Sequence, residues 1–423
     1  VPGRPASDGS GSDGSAAAER AAEHAARESY GRLLAFLAAR TRDVAGAEDA
    51  LAEAFASALK LWPVEGVPAN PPAWLLTVAR RRQIDAARRR HTRAGSADHL
   101  KLIADEMEEA AATSTEIPDR RLALMFACAH PAIERNARSP LILQTVLGFT
   151  AADIASSFLI PPAAMSQRLV RAKARIKEAG IPFRVPDADE LPERLDTVLE
   201  AIYAAYSKGW GEIGEGGGEN LAGEAIWLAQ LVVALLPAEP EAKAMLALML
   251  YAEARRAARR SPAGAYVPLD EQDIGAWDAT HIARAEDLLR QATAIGSSGR
   301  YQIEAAIQSA HVARRLVGVD TSAAILALYD HLLALTASPV VALNRAVALA
   351  EVEGPAAGLA ALLPLGEDKR LVDYQPYWAA RGHLAARAGD RADAHASLTL
   401  ALGLSADAAV RAYLRAELDK LAS

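Results

Sequence analysis

The sequence predicts an all-α protein, and three observations carry that prediction. Alanine is abundant and aromatic residues are only 5% of the chain, a balance that favours close-packed helices over sheets. Apolar residues recur at three- and four-residue spacings in segment after segment. Asn-Pro-Pro at 70–72 and Pro-Pro at 161–162 stand where helices would begin. With 423 residues, 51% of them hydrophobic, there is core material for two or three domains.

Residues 1–18, opening VPGRPASDGSGSDGS, read as a disordered Gly- and Ser-rich tail without the apolar stretch of a signal peptide. A helical pattern begins near Glu19 and carries Leu33, Leu34 and Leu37. The next helix, from about Ala47 to Trp62, sets Leu51, Phe55, Leu59 and Trp62 on one face. Asp49 and Glu53 lie on the other, like charges at i, i+4 that cost about a few tenths of a kcal/mol in an isolated helix. Either the helix N-terminus tolerates them or a basic partner surface uses them.

Asn70 followed by Pro71 and Pro72 caps and opens a third helix, PPAWLLTVARRRQIDAARRR, which buries Trp74, Leu75 and Val78 and then turns strongly basic. Its arginines include Arg80, Arg81, Arg82, Arg88 and Arg89. Arg81 with Arg88, and Arg82 with Arg89, form adjacent i, i+7 stripes, and Asp85 lies three or four residues from all four. Ion pairs through Asp85 would hold the guanidinium groups and leave donors for DNA phosphates. Residues 19–93 thus make a first module. Residues 94–118 lose the periodicity and turn acidic, a linker of like charges.

The second module, 119–180, opens on Leu122, Leu124, Met125 and Phe126. Thr150 with Asp153 three residues on signals a capped helix start, with Ile154 and Phe158 facing inward. A turn containing Leu159 leads to Pro161-Pro162 and a second helix whose Met165, Leu169, Ala172 and Ile176 form one apolar stripe. Arg168, Arg171 and Arg175 occupy the opposite face, with Gln167 beside them and Lys173 and Lys177 flanking. Two helices, a short turn and a basic second helix are the form of a helix-turn-helix, whose second helix enters the DNA major groove. Arginine pairs with guanine edges and glutamine with adenine. The net charge of −7 does not exclude nucleic acid, because positive residues cluster in 80–93 and 168–177.

Residues 181–423 read as a third, helix-rich region. IPFRVP, Ile181 to Pro186, is short and stiff and spans only about 20 Å, so the region beyond it lies close to the DNA-reading module. Leu195, Val198, Leu199, Ile202, Tyr203 and Tyr206 share one helix face, and Ile226–Leu236 and Ala244–Ala258 supply two more helices. GWGEIGEGGGE, Gly209 to Glu219, lacks the Lys-Ser/Thr pair of a phosphate loop and carries acids that repel phosphate, so it reads as a flexible loop. The acidic run from Leu269 to Asp273 reads as a solvated loop rather than a metal site. Trp378, Gly382, Ala394, Leu398 and Ala401 have the spacing of a tetratricopeptide helix pair. Gly354 precedes Gly389 by about one such period, and Tyr329, Leu332 and Leu333 fit a further unit. Stacked pairs of this kind create a concave surface suited to a peptide, helix or ligand.

Cys128 is the only cysteine, which removes disulfide frameworks and cysteine-based zinc sites, and the nine histidines have no ligand spacing. No metal, cofactor or catalytic residue is expected, and no nucleophile-base pair suggests an enzyme. No apolar run reaches the roughly 20 residues that span a bilayer, so a cytoplasmic protein is expected.

With these pieces placed, the first 185 or so residues resemble bacterial sigma factors of the extracytoplasmic-function type within the sigma-70 family. AEDALAEAF (Ala47 to Phe55) and PPAWLLTVARRRQIDAARRR (Pro71 to Arg90) resemble region 2, and Leu141 to Ile176 resembles region 4. The whole chain, with MFACAHPA (Met125 to Ala132) and RLVRAKARIKEAGIPF (Arg168 to Phe183), is similar to the subgroup with a C-terminal tetratricopeptide-like extension.

The resemblance implies a factor that binds core RNA polymerase and promoter DNA. Asp49 and Glu53 would face polymerase. Arg80, Arg81, Arg82, Asp85, Arg88 and Arg89 would face the minus-10 element on the DNA side of region 2. Ser166, Gln167, Arg168 and Arg171 would read the minus-35 element, with Arg175 and Lys177 on phosphates. The acidic linker would thread a basic channel of the polymerase. The extension would pack on the sigma modules and either hold the factor inactive or be required for a productive fit. Two rivals are a conventional helix-turn-helix regulator with a helical sensor domain, and a repeat-type scaffold for protein partners.

Overall fold

The computed structural model describes residues 10–91, 120–158, 160–187, 190–211, 218–296 and 298–422. Among them all regular structure is helical, and the one β pairing is an isolated bridge between Arg260 and Tyr266. The acidic linker 94–118, Leu159 and most of the glycine-rich loop lie outside the described residues. The chain divides into two compact units, Val1–Ala205 and Tyr206–Ser423.

The first unit begins with α1 (Ser10–Thr41), α2 (Val44–Glu65) and α3 (Pro71–His91). α1 starts at Ser10, inside the stretch 1–18 expected to be disordered, where a run of alanines from Ala16 favours helix. Leu33, Leu34 and Leu37 are buried as expected. In α2 the buried stripe is Ala47, Ala50, Leu51, Ala54, Ala58 and Trp62, whereas Leu59 is 47% exposed and not part of the apolar face. Alanines face inward because α2 packs against both α1 and α3, and small side chains let helix backbones approach. Asp43 caps α2 by accepting from Gly46 N at 2.9 Å, and Asn70 caps α3 by accepting from Ala73 N at 3.1 Å. Trp62 and Trp74 meet edge to face with centroids 5.5 Å apart, closing α2 onto α3.

The same unit continues with α4 (Arg121–Cys128), α5 (Arg135–Thr145), α6 (Ala151–Ser157), α7 (Pro162–Glu178) and the first part of α8 (Leu191–Gly211). α1 crosses the end of α5 so closely that a Cβ on Gly31 would sit 1.9 Å from the Val146 carbonyl oxygen. Only glycine fits there. α7 packs against α5 and α6 and also against α2, so the two sequence modules share one compact body. The opening of α8 joins it: Arg138 pairs with Glu193 at 3.5 Å, and the Ser139 hydroxyl donates to Glu200.

The second unit holds the end of α8 and then α9 (Gly218–Leu235), α10 (Pro240–Ala254), α11 (Ala279–Ile295), α12 (Arg300–Val317), α13 (Ser322–Thr336), α14 (Pro339–Glu353), α15 (Pro355–Leu362), α16 (Gln375–Ala388), α17 (Arg391–Leu404) and α18 (Ala408–Ala422). From α9 onward each helix packs on its successor. α10 stops at Ala254 rather than Ala258, and Ala257–Arg259 forms a 3-10 turn. The pair expected from Trp378, Gly382 and Leu398 is α16 with α17. A Cβ on Gly382 would lie 2.7 Å from Leu398 Cγ, Gly389 ends α16 at φ 87°, and Asp390 caps α17. Leu343, Leu362, Tyr377 and Leu384 form a core across α14 to α16. In the run 269–273, Asp270 and Glu271 are exposed and Asp273 accepts from Gly275 N at 2.9 Å.

Candidate nucleic-acid and polymerase interface

The helix-turn-helix geometry follows from a local cap and an apolar stripe. Thr150 and Asp153 satisfy each other reciprocally: Thr150 N and Oγ1 donate to Asp153 Oδ2 at 3.2 and 2.6 Å, and Asp153 N donates to Thr150 Oγ1 at 3.2 Å. This fixes the start of α6 and buries Ile154. Pro161 enters α7 extended, and Pro162 occupies its first turn. Met165, Leu169, Ala172 and Ile176 are all buried, which turns the opposite face outward.

That outward face is not uniform. Ser166, Gln167 and Arg171 are exposed. Arg168 is half-buried and donates from Nη1 to the Asn136 carbonyl at 3.2 Å, while Arg175 donates from Nε to the Ala132 carbonyl at 3.3 Å. Lys177, expected on a phosphate, instead reaches Asp43 of α2 at 2.6 Å. Lys173 pairs with Glu48 at 2.6 Å, and both side chains are less than one-fifth exposed. Arg42 Nη1 adds a bond to the Gly180 carbonyl at 3.3 Å. Two lysines of the basic helix are thus neutralised by carboxylates of the first module, while Ser166, Gln167 and Arg171 stay turned outward. Sequence reasoning missed Asp43 and Glu48; their one signal was the acids on either side of the first turn of α2.

α3 corrects two expectations. Arg80, taken as a DNA contact, is 8% exposed, with its guanidinium 4.8 Å from the centre of the Phe36 ring. Burial, and then the like charge of Arg40, pull it below the ordinary arginine range. The expected ion pairs through Asp85 do not form with Arg82 or Arg89. Arg82 pairs with Glu53 at 3.3 Å, and Arg89 Nε donates to the Asp85 carbonyl oxygen rather than to its carboxylate. A side chain that can reach a neighbouring helix has an alternative to its own i+3 partner. Arg81, Arg82, Asp85, Arg88 and Arg89 are all exposed.

Asp49 and Glu53 do not stand on a side of their own. They line, with Arg82 and Arg89, an open groove of about 470 Å³ between α2 and α3. Acidic and basic groups therefore meet at one groove rather than on separate polymerase and DNA sides. Cys128 is buried, and burial pushes its thiol up to about 12 although the Thr145 hydroxyl, 3.6 Å away, opposes the shift. Among the described residues no group of three or more His, Cys, Asp or Glu side chains is arranged to hold a metal, and no helix is long and apolar enough to cross a membrane.

Comparison with known proteins finds two family matches along the chain. The model of sigma-70 region 2 matches residues 26–93, which cover the second half of α1 and all of α2 and α3. A family of unknown function (DUF6596) matches residues 194–293. An uncharacterized protein of Rhizobium meliloti (strain 1021) is 39% identical over 403 residues, spanning 94% of each chain. No solved structure matches.

Proposed function

We propose, from the premise that this chain belongs to the sigma-70 family, that it is a sigma factor of the extracytoplasmic-function type with a tetratricopeptide-like regulatory extension. A sigma-70 region 2 implies core RNA polymerase and promoter DNA as partners and a site of action in the cytoplasm. The protein acts by binding, without a catalytic step of its own.

The observation that carries this reading is a sequence of two modules. A region 2 match over α1 to α3 is followed by a capped helix-turn-helix whose exposed face presents Ser166, Gln167 and Arg171. Gln167 and Arg171 would read base edges of a minus-35 element in the major groove. Arg81, Arg82, Arg88 and Arg89 would engage the minus-10 region, with Arg168 and Arg175 exchanging their carbonyl partners for phosphates. Asp49 and Glu53 would meet a basic surface of polymerase once Arg82 moves from Glu53 to DNA. The helical extension would set whether the two modules are free to engage a promoter, as an inhibitor or as a required part.

The test is multi-round transcription by purified core polymerase on a promoter library, with and without the protein. Starts that depend on the protein and share two spaced motifs are expected. Their absence, together with tight duplex binding by the protein alone, would replace this reading with a conventional regulator.

A further inference from the structure

The second unit carries a concentration of arginine that promoter recognition does not use. Arg255, Arg256, Arg259 and Arg260 follow directly on α10. Two of them have carboxylate partners, Arg256 with Glu253 at 2.7 Å and Arg260 with Asp407. Among the described residues the other two have none. Arg259 lays its guanidinium carbon 3.5 Å from the centre of the Trp210 ring and donates from Nη1 to the Trp210 carbonyl at 2.7 Å. Arg255 donates from Nη2 to Gln308 Oε1 at 2.7 Å and from Nε to the Tyr251 carbonyl at 3.4 Å. A guanidinium has five N–H donors, so each retains unused ones.

Further positive groups crowd the same region. Arg315 donates to the Gln272 carbonyl at 2.8 Å, yet its Nε, like Nη1 of Arg260, is sealed without a partner. Burial, and after it the charges of Arg260, Arg256 and Arg255, pull Arg259 down to about 10, against the opposing effect of Tyr266. Burial, Arg255 and Arg314 pull His311 down to about 4, against the opposing effect of Asp270. Half-buried guanidinium groups without counter-charge are costly unless an anion completes them. A planar fork with free donors is suited to carboxylate or phosphate.

The geometry points to a binding site for a small anion bearing a carboxylate or phosphate group, held by the unused donors of Arg255 and Arg259 beside Trp210 and Gln308. Because both arginines are half-buried, a small anion suits them better than an extended polyanion, which needs exposed cations. The site stands whether or not the chain is a sigma factor.

The test uses the full-length protein, titrated with inorganic phosphate and, separately, with succinate, against sodium chloride at matched ionic strength. At least one probe should raise the melting temperature by about 2 to 4 °C at saturation. Arg255→Gln and Arg259→Gln should each weaken that probe about ten-fold, the loss of one charged hydrogen-bonding partner, while Arg171→Gln should not. Phosphate alone raising it would identify a phosphoryl ligand, and succinate alone a carboxylate. In the unsubstituted protein the ring resonances of His311 should shift and its pKa rise as the anion binds, which decides the matter if the variants misfold. No response to either probe, a response that survives both substitutions, or a response only to a poly-glutamate peptide would overturn the proposal, the last in favour of an acidic protein segment.

Discussion

Two runs of basic residues at helical or near-helical spacing meet different counter-groups in this chain. On α7, Lys173 and Lys177 find carboxylates on α2, at Glu48 and Asp43, both at 2.6 Å. After α10, Arg255 and Arg259 find, among the described residues, only carbonyls, an amide oxygen and an indole ring. The first set is neutralised by its neighbours, and the second keeps its charge. A cation with a nearby carboxylate can exchange that partner for a phosphate or another carboxylate. One held by neutral groups has capacity left for a ligand. The arrangement of counter-charge, rather than the number of arginines, separates a dockable surface from a binding site.

Packing, with ion pairs as a second contribution, joins the modules of the first unit. Gly31→Val tests this most severely, since any side chain there meets the Val146 carbonyl oxygen, a backbone atom that cannot turn aside. We expect about 3 to 5 kcal/mol lost from the first unit in urea unfolding, or failure to fold. Gly382→Ala in the second unit meets chiefly the Leu398 side chain and should cost about 1 to 2 kcal/mol. Equal costs would break the contrast.

Lys173→Glu places two carboxylates together where a largely buried pair stood, and should cost about 3 kcal/mol. The further change Glu48→Lys should restore most of it. A double variant no better than the single one would mean that the pair adds nothing specific.

The second unit should be the more sensitive to mild acid. His311, held at about 4 when folded, returns to about 6.5 in an unfolded chain, so the unfolded state binds the extra proton between those values. Its contribution is complete above pH 6.5 and is lost as pH falls towards 4, up to about 3 kcal/mol. His311→Asn should flatten the difference between urea melts at pH 7 and pH 4.5; an unchanged slope would remove His311 as its source.

The smallest effects separate structural from exposed arginines on one helix. Arg80→Ala should lose about 1 to 2 kcal/mol through its packing over Phe36. Arg81→Ala should leave stability within about 0.5 kcal/mol yet weaken promoter binding. Filter binding beside thermal melts would resolve the two, and reversed roles would return Arg80 to the DNA surface.

Much of the fold was legible because its signals are local. Met165, Leu169, Ala172 and Ile176 are buried where their spacing put them, and Thr150 caps α6 through Asp153. Gly382 marks a real close approach of α16 and α17. Leu59 misled because α2 presents alanines to α1, and hydrophobicity by itself cannot register how near a neighbouring helix comes. At the candidate interface, exposure of Ser166, Gln167 and Arg171 followed from the apolar stripe opposite them. Burial of Arg80 under Phe36 depended on a helix some 40 residues away in the chain.

The sequence by itself determined the helices, their caps, the buried stripe of the helix-turn-helix and the presence of basic runs, since each depends on residues within a turn or two. Only the tertiary structure decided what each charge would face: Glu53 for Arg82, Glu48 for Lys173, Trp210 for Arg259. Spacing along a helix fixes the direction of a side chain from its own axis. The partner it meets is set by packing between helices, and an ion pair or hydrogen bond, which needs its groups within about 3 to 4 Å, cannot be read before that packing is known.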